Sequence, residues 1–179
     1  MKNLDYILSL DQNAKIEPVK KGDFLQKEGS NSFRAFFVKK GILRSYTIDK
    51  KGKEHIFMFA TEGWIIADIE SQQFNQPAKL FIDCIEDADV ITFDRNILEK
   101  VELSKDQLTK NLNLMSRRVA VLQRRVLMLM SASAKERYEF FLETYPELPD
   151  RVPQRMIASY LGITPEALSK MRGEIAKSK

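Results

Sequence analysis

Cysteine and histidine are almost missing from this 179-residue chain, with Cys84 and His55 the sole examples of each. One cysteine cannot close an intramolecular disulfide, and one histidine beside it cannot supply a His-rich or Cys-rich metal site. A four-cysteine iron–sulfur cluster and a His-ligated metal centre are excluded on that count, and no metal or other cofactor is expected. Long apolar runs are also missing, and the opening Met-Lys-Asn-Leu-Asp has no basic stretch leading into an apolar one. Neither a transmembrane helix, a signal peptide nor a membrane partner is therefore expected, and the expected location is the cytoplasm. A lone histidine and scattered carboxylates offer no convergent acid, base or metal set, so no catalytic residues are assigned and the chain is not expected to be an enzyme. What is present, 44% hydrophobic and 30% charged residues without repeats or low-complexity tracts, suits one large or two small domains with real cores.

Acidic charge is scarce in one part only. Residues 1–104 carry 15 Lys/Arg against 17 Asp/Glu, whereas residues 105–179 carry 14 against 8, so the overall +4 divides into −2 and +6. Within the second part, Arg151, Arg155, Lys170, Arg172, Lys177 and Lys179 face only Glu166 and Glu174 from residue 151 onward. A basic terminal segment is the electrostatic footprint of a phosphate-backbone partner, although a solvated lysine-rich surface has the same composition.

Glycines at 22, 29, 41, 52 and 63 punctuate short β-branched and aromatic runs: Phe24–Gln26, Phe33–Val38, Ile42–Ile48, His55–Ala60, Leu80–Ile85 and Val90–Phe93. That rhythm predicts an all-β sandwich or barrel, with Asp49-Lys50-Lys51-Gly52 as a hairpin loop. Phe57, Phe59, Trp64, Ile65, Ile66, Phe74 and Phe81 are read as its filled core. Cys84, alternating within its run, is expected to face inward, where a thiol is inert.

Asp94 is expected to cap a short helix through Lys100, and Ser104 with Gln107 forms a capping-box pattern for a longer one over 105–130. Along the latter, Leu108, Leu112, Met115, Val119, Leu122, Val126 and Leu129 alternate steps of four and three. This heptad seam predicts a parallel two-stranded coil, the interface of a homodimer. Leu114, Val121, Leu127 and Met128 lie off the seam, so other faces are expected to bury something as well. Ser133 with Glu136 repeats the capping box and starts a helix with Tyr138, Phe141, Leu142 and Tyr145 on one stripe, ended by Pro146 and Pro149.

Pro153 begins a short helix bearing Ile157, Ala158 and Leu161; Gly162 breaks it, and Thr164-Pro165 supplies an N-cap and first-turn proline for another bearing Leu168, Met171 and Ile175. Two short helices across a glycine turn make a helix-turn-helix. The outward face of the second shows Glu166, Ser169, Lys170 and Gly173, near the end that reaches base edges in a major groove. Arg155, Arg172 and Lys177 complete the candidate DNA-binding set. Such helix pairs also serve as packing elements, so the rival reading is a ligand-sensing or protein-interaction module with a purely structural helix-turn-helix.

The order of these parts resembles the Crp/Fnr family of bacterial transcription regulators. The resemblance is carried by Lys21-Gly22-Asp23-Phe24-Leu25-Gln26-Lys27-Glu28-Gly29, by Phe37-Val38-Lys39-Lys40-Gly41 and by the run Val152 to Glu166. It implies an α+β fold: a β-roll or jelly-roll effector domain of the cyclic-nucleotide-binding type (1–103), a dimerisation helix (104–131) and a helix-turn-helix domain (132–179). It implies a homodimeric, sequence-specific regulator of transcription on pseudo-palindromic double-stranded DNA, with RNA polymerase as a further partner. The family's recognition helix often reads Glu-x-x-Ser-Arg, and Glu166, Ser169 and Lys170 fall on those positions; lysine keeps the charge but loses the bidentate fork. The β-hairpin wing that follows in many relatives is not expected here, leaving backbone contacts to Arg151, Arg155 and the terminal lysines.

Cyclic-nucleotide-binding members carry Gly-Glu followed by Arg-Ser, the glutamate on the ribose hydroxyl and the arginine on the cyclic phosphate. The corresponding positions here are Ala67-Asp68 and Ala78-Lys79, a weak effector pocket without the arginine. Neither cyclic AMP nor cyclic GMP is expected as the effector. The cysteine count speaks against the Fnr-type cluster, and haem on His55 or Cys84 is disfavoured because a lone residue of either type is more often structural. A small apolar effector, or none, remains open.

Overall fold

The computed structural model describes residues 15–32, 34–94 and 104–177. The chain divides into two compact units, residues 1–102 and 103–179.

The first unit is a roll of two four-stranded sheets. One runs β1 (Ile16–Val19), β8 (Ala88–Asp94), β3 (Arg34–Lys40), β6 (Ile65–Ala67); the other runs β2 (Phe24–Gln26), β7 (Phe81–Cys84), β4 (Leu43–Ile48), β5 (Glu54–Ala60). All pairings are antiparallel. A one-and-a-half-turn helix, α1 (Ile69–Phe74), follows β6. Phe36, Val38, Leu43, Ala60, Ile66, Ile82, Cys84, Ala88 and Val90 form the core between the sheets. Gly41 is required by the fold: its φ is 93°, and a Cβ there would lie 2.6 Å from the Ala88 Cβ.

Every strand run expected from the sequence appears, Phe24–Gln26 unchanged and the others with ends shifted by at most two residues; Phe33, the expected start of one run, lies outside the described residues. The short strands β1 and β6 and the helix α1 were not anticipated, being too brief for a periodic signal. Two expected core residues are corrected: Phe57 is 40% and Phe74 65% exposed. Phe59 and Ile66 are fully buried as expected, and Trp64, Ile65 and Phe81 are half-buried. The predicted helix from Asp94 to Lys100 lies outside the described residues beyond the end of β8.

Ile42 to Tyr46 are all buried, which explains the imperfect alternation of that run. Arg44 survives inside by pairing: its Nε and Nη2 donate to the two Asp83 oxygens at 2.7 and 2.9 Å, and its Nη1 to Glu54. The Tyr46 hydroxyl donates to the same Asp83 carboxylate, and the Tyr46 ring lies 4.1 Å from the guanidinium. Burial opposes the charge, but the bonds to Asp83 and Glu54 outweigh it and hold the Arg44 pKa above its ordinary value.

The second unit is helical: α2 (Lys105–Ser131), α3 (Ala134–Thr144), the single turn α4 (Leu148–Arg151), α5 (Gln154–Leu161) and α6 (Pro165–Lys177). Both predicted capping boxes form, Ser104 with Gln107 and Ser133 with Glu136. Pro149 sits within the first turn of α4, where its missing N–H costs nothing, instead of ending α3. Phe141, Leu148, Ile157, Ala158 and Leu168 are fully buried and make the core of this unit. Phe141 is ringed by aromatics, its centroid 5.6 Å from both Tyr145 and Tyr160.

Candidate nucleic-acid interface

The local sequence builds the helix-turn-helix. Gly162 ends α5 in the left-handed conformation at φ 68°, and its N–H returns to the Ser159 carbonyl. Thr164 starts α6: its hydroxyl accepts the Ala167 N–H at 3.2 Å and its carbonyl the Leu168 N–H at 3.1 Å. Leu168 and Met171 turn inward and are buried with Ile157 and Ala158 in a single core, leaving the opposite face of α6 to solvent. On that face Glu166, Ser169, Lys170 and Gly173 are all exposed. Hydrogen bonds from its own N–H and from the Thr164 hydroxyl hold the Glu166 carboxyl below the usual range, so it is an acceptor at neutral pH.

Arg155 is exposed in the first turn of α5. Arg172 stands apart from this set: it is half-buried, with its Nη1 out of solvent and lacking a hydrogen-bond partner among the described residues. Lys177 is described only as the last residue of α6. Arg151 is half-buried.

The seam residues share one side of α2 and are all exposed, from 40% at Leu129 to 69% at Leu112. No residue of this 27-residue helix is buried. Off the seam, Leu114, Val121 and Leu127 are exposed as well and Met128 is half-buried, so the expectation that other faces bury something is not met within this unit.

Sequence reasoning missed two arginines. Arg125 of α2 donates to the Tyr160 carbonyl at 3.3 Å and lies 4.0 Å from that ring's centroid. Arg137 of α3 donates to the carbonyls of Leu129, Ala132 and Leu161, each at 3.1 Å. No spacing signal marks either one, because their acceptors are backbone carbonyls, and those of Tyr160 and Leu161 are 35 and 24 residues away in sequence.

In the roll, two of the four expected pocket residues, Asp68 and Lys79, are hydrogen-bonded to each other, and Ala67 and Ala78 are their chain neighbours. Asp68, 2% exposed, accepts the Ser71 N–H at 3.2 Å through Oδ1, capping α1, and the Lys79 and Leu80 N–H groups at 2.8 and 3.0 Å through Oδ2. Lys79 Nζ pairs with Glu70. Ala78 is buried, its N–H donating to Ser30 and its carbonyl accepting from Gly29, while Ala67 ends β6. His55 is paired with Asp49 at 2.8 Å across the β4–β5 hairpin, and that hydrogen bond, with the Lys53 and Lys51 N–H groups, lowers the Asp49 pKa to about 2. Burial pushes the Cys84 thiol up to about 12. Among the described residues, no group of three or more His, Cys, Asp or Glu is arranged to hold a metal ion, and no helix is long and apolar enough to cross a membrane.

Residues 16–103 match the cyclic nucleotide-binding domain family. Electron transport regulator A of Shewanella oneidensis is 27% identical over 176 residues, covering 90% of this chain and 69% of the relative. FixK2 from Bradyrhizobium japonicum superposes with a TM-score of 0.76 at 22% identity, over 92% of this chain and 85% of that one. A CRP/FNR-family transcriptional regulator from Thermus thermophilus gives 0.70 at 20% identity, over 92% and 87%. Over most of its length the chain is similar to transcription regulators of the Crp/Fnr family. The order of roll, long helix and helix-turn-helix is the Crp/Fnr fold, and the relatives that share it are named as regulators. The chain spans about two thirds of the length of the curated relatives it matches.

The cyclic nucleotide that the domain match implies does not fit the residues present. The Asp68 oxygens are taken up by three backbone N–H groups, and the Lys79 ammonium is matched by Glu70. The loop that would hold a phosphate is thus pinned by its own chain.

Proposed function

We propose that the chain acts in the cytoplasm as a homodimer, joined along the seam Leu108 to Leu129 of α2, and binds a pseudo-palindromic DNA site. Its two α6 helices enter successive major grooves about 34 Å apart. The observation that carries this reading is the exposed N-terminal face of α6, with Glu166, Ser169 and Lys170 held on a rigid core. Glu166 accepts from a cytosine amino group, and Lys170 donates to guanine as a point charge, a weaker discriminator than arginine. Arg155 serves the phosphate backbone, and RNA polymerase is the further partner that a regulator on such a site meets.

The effector is not a cyclic nucleotide. The saturation of Asp68 and the Lys79–Glu70 pair support this reading. Selection of bound duplexes from a random pool with the purified protein tests the main proposal. A two-fold symmetric consensus with half-sites about one helical turn apart is expected. Absence of enrichment, or binding insensitive to salt, overturns it.

A further inference from the structure

The end of α5 is held from outside. A helix leaves its last four carbonyls without partners of its own. Here Ala158 and Ser159 receive the N–H groups of the glycine turn, from Ile163 and Gly162. The next two receive arginines from other helices: Tyr160 from Arg125 of α2 and Leu161 from Arg137 of α3. Two cations thus sit at the negative end of the α5 dipole. Arg137 does more, because its remaining donors bond Leu129 in the last turn of α2 and Ala132 at the α2–α3 junction. A single planar guanidinium therefore ties together the end of the long helix, the junction and the end of α5. A Cβ at Gly162 would lie 3.5 Å from Arg137 Nη1 and 3.7 Å from Leu129 Cδ2, so the last seam residue reaches the turn itself. Only Ile163 and Thr164 separate that turn from α6.

We propose that Arg137, assisted by Arg125, is a positioning residue that fixes the reading helix α6 relative to the dimer seam, and so sets the half-site spacing the protein accepts. This rests on the reading of the chain as a DNA-binding dimer. The rigid fork of arginine suits the task, since its donors lie in one plane and reach three carbonyls at once, which an ammonium on a flexible stem does not do.

The test measures binding of the full chain to duplexes whose half-sites are moved by −2 to +2 base pairs, and to a single half-site. Each base pair rotates the second half-site by roughly 35°. The unaltered protein is expected to lose about tenfold or more in affinity per step, as the second head becomes unable to engage. In Arg137→Gln and Arg137→Lys, the affinity at the best spacing falls while the differences between spacings shrink to about threefold or less, with single half-site binding unchanged. Rescue of spacing discrimination by lysine, or discrimination retained in Arg137→Gln, overturns the proposal. Equal loss on every duplex, the single half-site included, marks a merely structural role and also overturns it. If Arg137→Gln fails to fold, Arg125→Gln carries the same comparison, because it leaves the α2–α3 junction bonds intact. Failure of the unaltered protein to bind any duplex defeats the DNA-binding reading instead, whereas binding without spacing preference defeats only this inference.

Discussion

The roll and the helical unit place their apolar side chains in opposite settings. In the roll, Phe36, Val38, Leu43, Ile82 and Val90 are at most 2% exposed, and even Arg44 and Asp83 are drawn inside. Along α2, the seven seam residues remain 40–69% exposed. The roll closes on itself, and its buried charges are matched within it. The long helix, by contrast, has no fully buried residue, and a helix in a protein draws most of its stability from packing an apolar face. On the proposed reading, a second copy covers this exposed seam.

The contrast breaks first at the seam. Val119→Glu with Leu122→Glu places carboxylates at adjacent seam positions, and a monomer is expected by analytical ultracentrifugation. Loss of the paired reading heads should then weaken binding to a palindromic duplex by about 10²–10⁴-fold, the avidity of two linked sites. An unchanged dimer would mean that α2 meets its own kind along another face.

The closed character of the roll is tested by Arg44→Met. It strands the buried Asp83 carboxylate and is expected to cost about 3–5 kcal/mol in urea unfolding of the roll. A cost under about 1 kcal/mol would show that water reaches Asp83 and that the roll is open there.

A smaller effect is expected on the exposed face of α6. Lys170→Ala should relax discrimination at one base pair by about 1–3 kcal/mol, and Arg155→Ala should weaken all duplexes alike. Equal, sequence-blind losses for both would remove Lys170 from the reading role. The smallest effect is none at all. With its pKa raised to about 12, Cys84 stays a protonated thiol, and a chromogenic disulfide reagent at pH 8 should label it only after unfolding. The sign extends to stability: the folded roll favours the protonated thiol, so this contribution is whole below the ordinary thiol pKa and fades as pH rises toward 12.

Where the sequence was legible, a local rule was at work. Ser104–Gln107 and Ser133–Glu136 cap their helices because the pairing is between neighbours, and Gly162 ends α5 because a left-handed residue was needed there. The exposed face of α6 follows from helical spacing around Leu168 and Met171. What escaped notice was long-range or brief. The Arg44–Asp83 pair joins strands 39 residues apart, and Arg137 reaches Leu161 across 24. Strands β1 and β6 are four and three residues long, too short for alternation to speak. By its chemistry alone Phe74 reads as core, yet it lies at the end of α1 and faces water. Asp68 stands out in the sequence as an effector-pocket candidate, whereas its role as helix cap and loop anchor depends on Ser71, Lys79 and Leu80 being folded back onto it.

Only Ala132 and the capping Ser133 separate the end of α2 from the start of α3. So short a corner has no slack to absorb a change upstream, and it converts register into direction. Inserting one residue in the last turn of α2 would advance the helix by about 100° and swing everything beyond it around the long axis. The length of that helix, counted in residues and not in ångströms, is therefore a phase setting. If the seam is a dimer interface as proposed, changes in it should be tolerated only near whole turns, as with teeth on a gear.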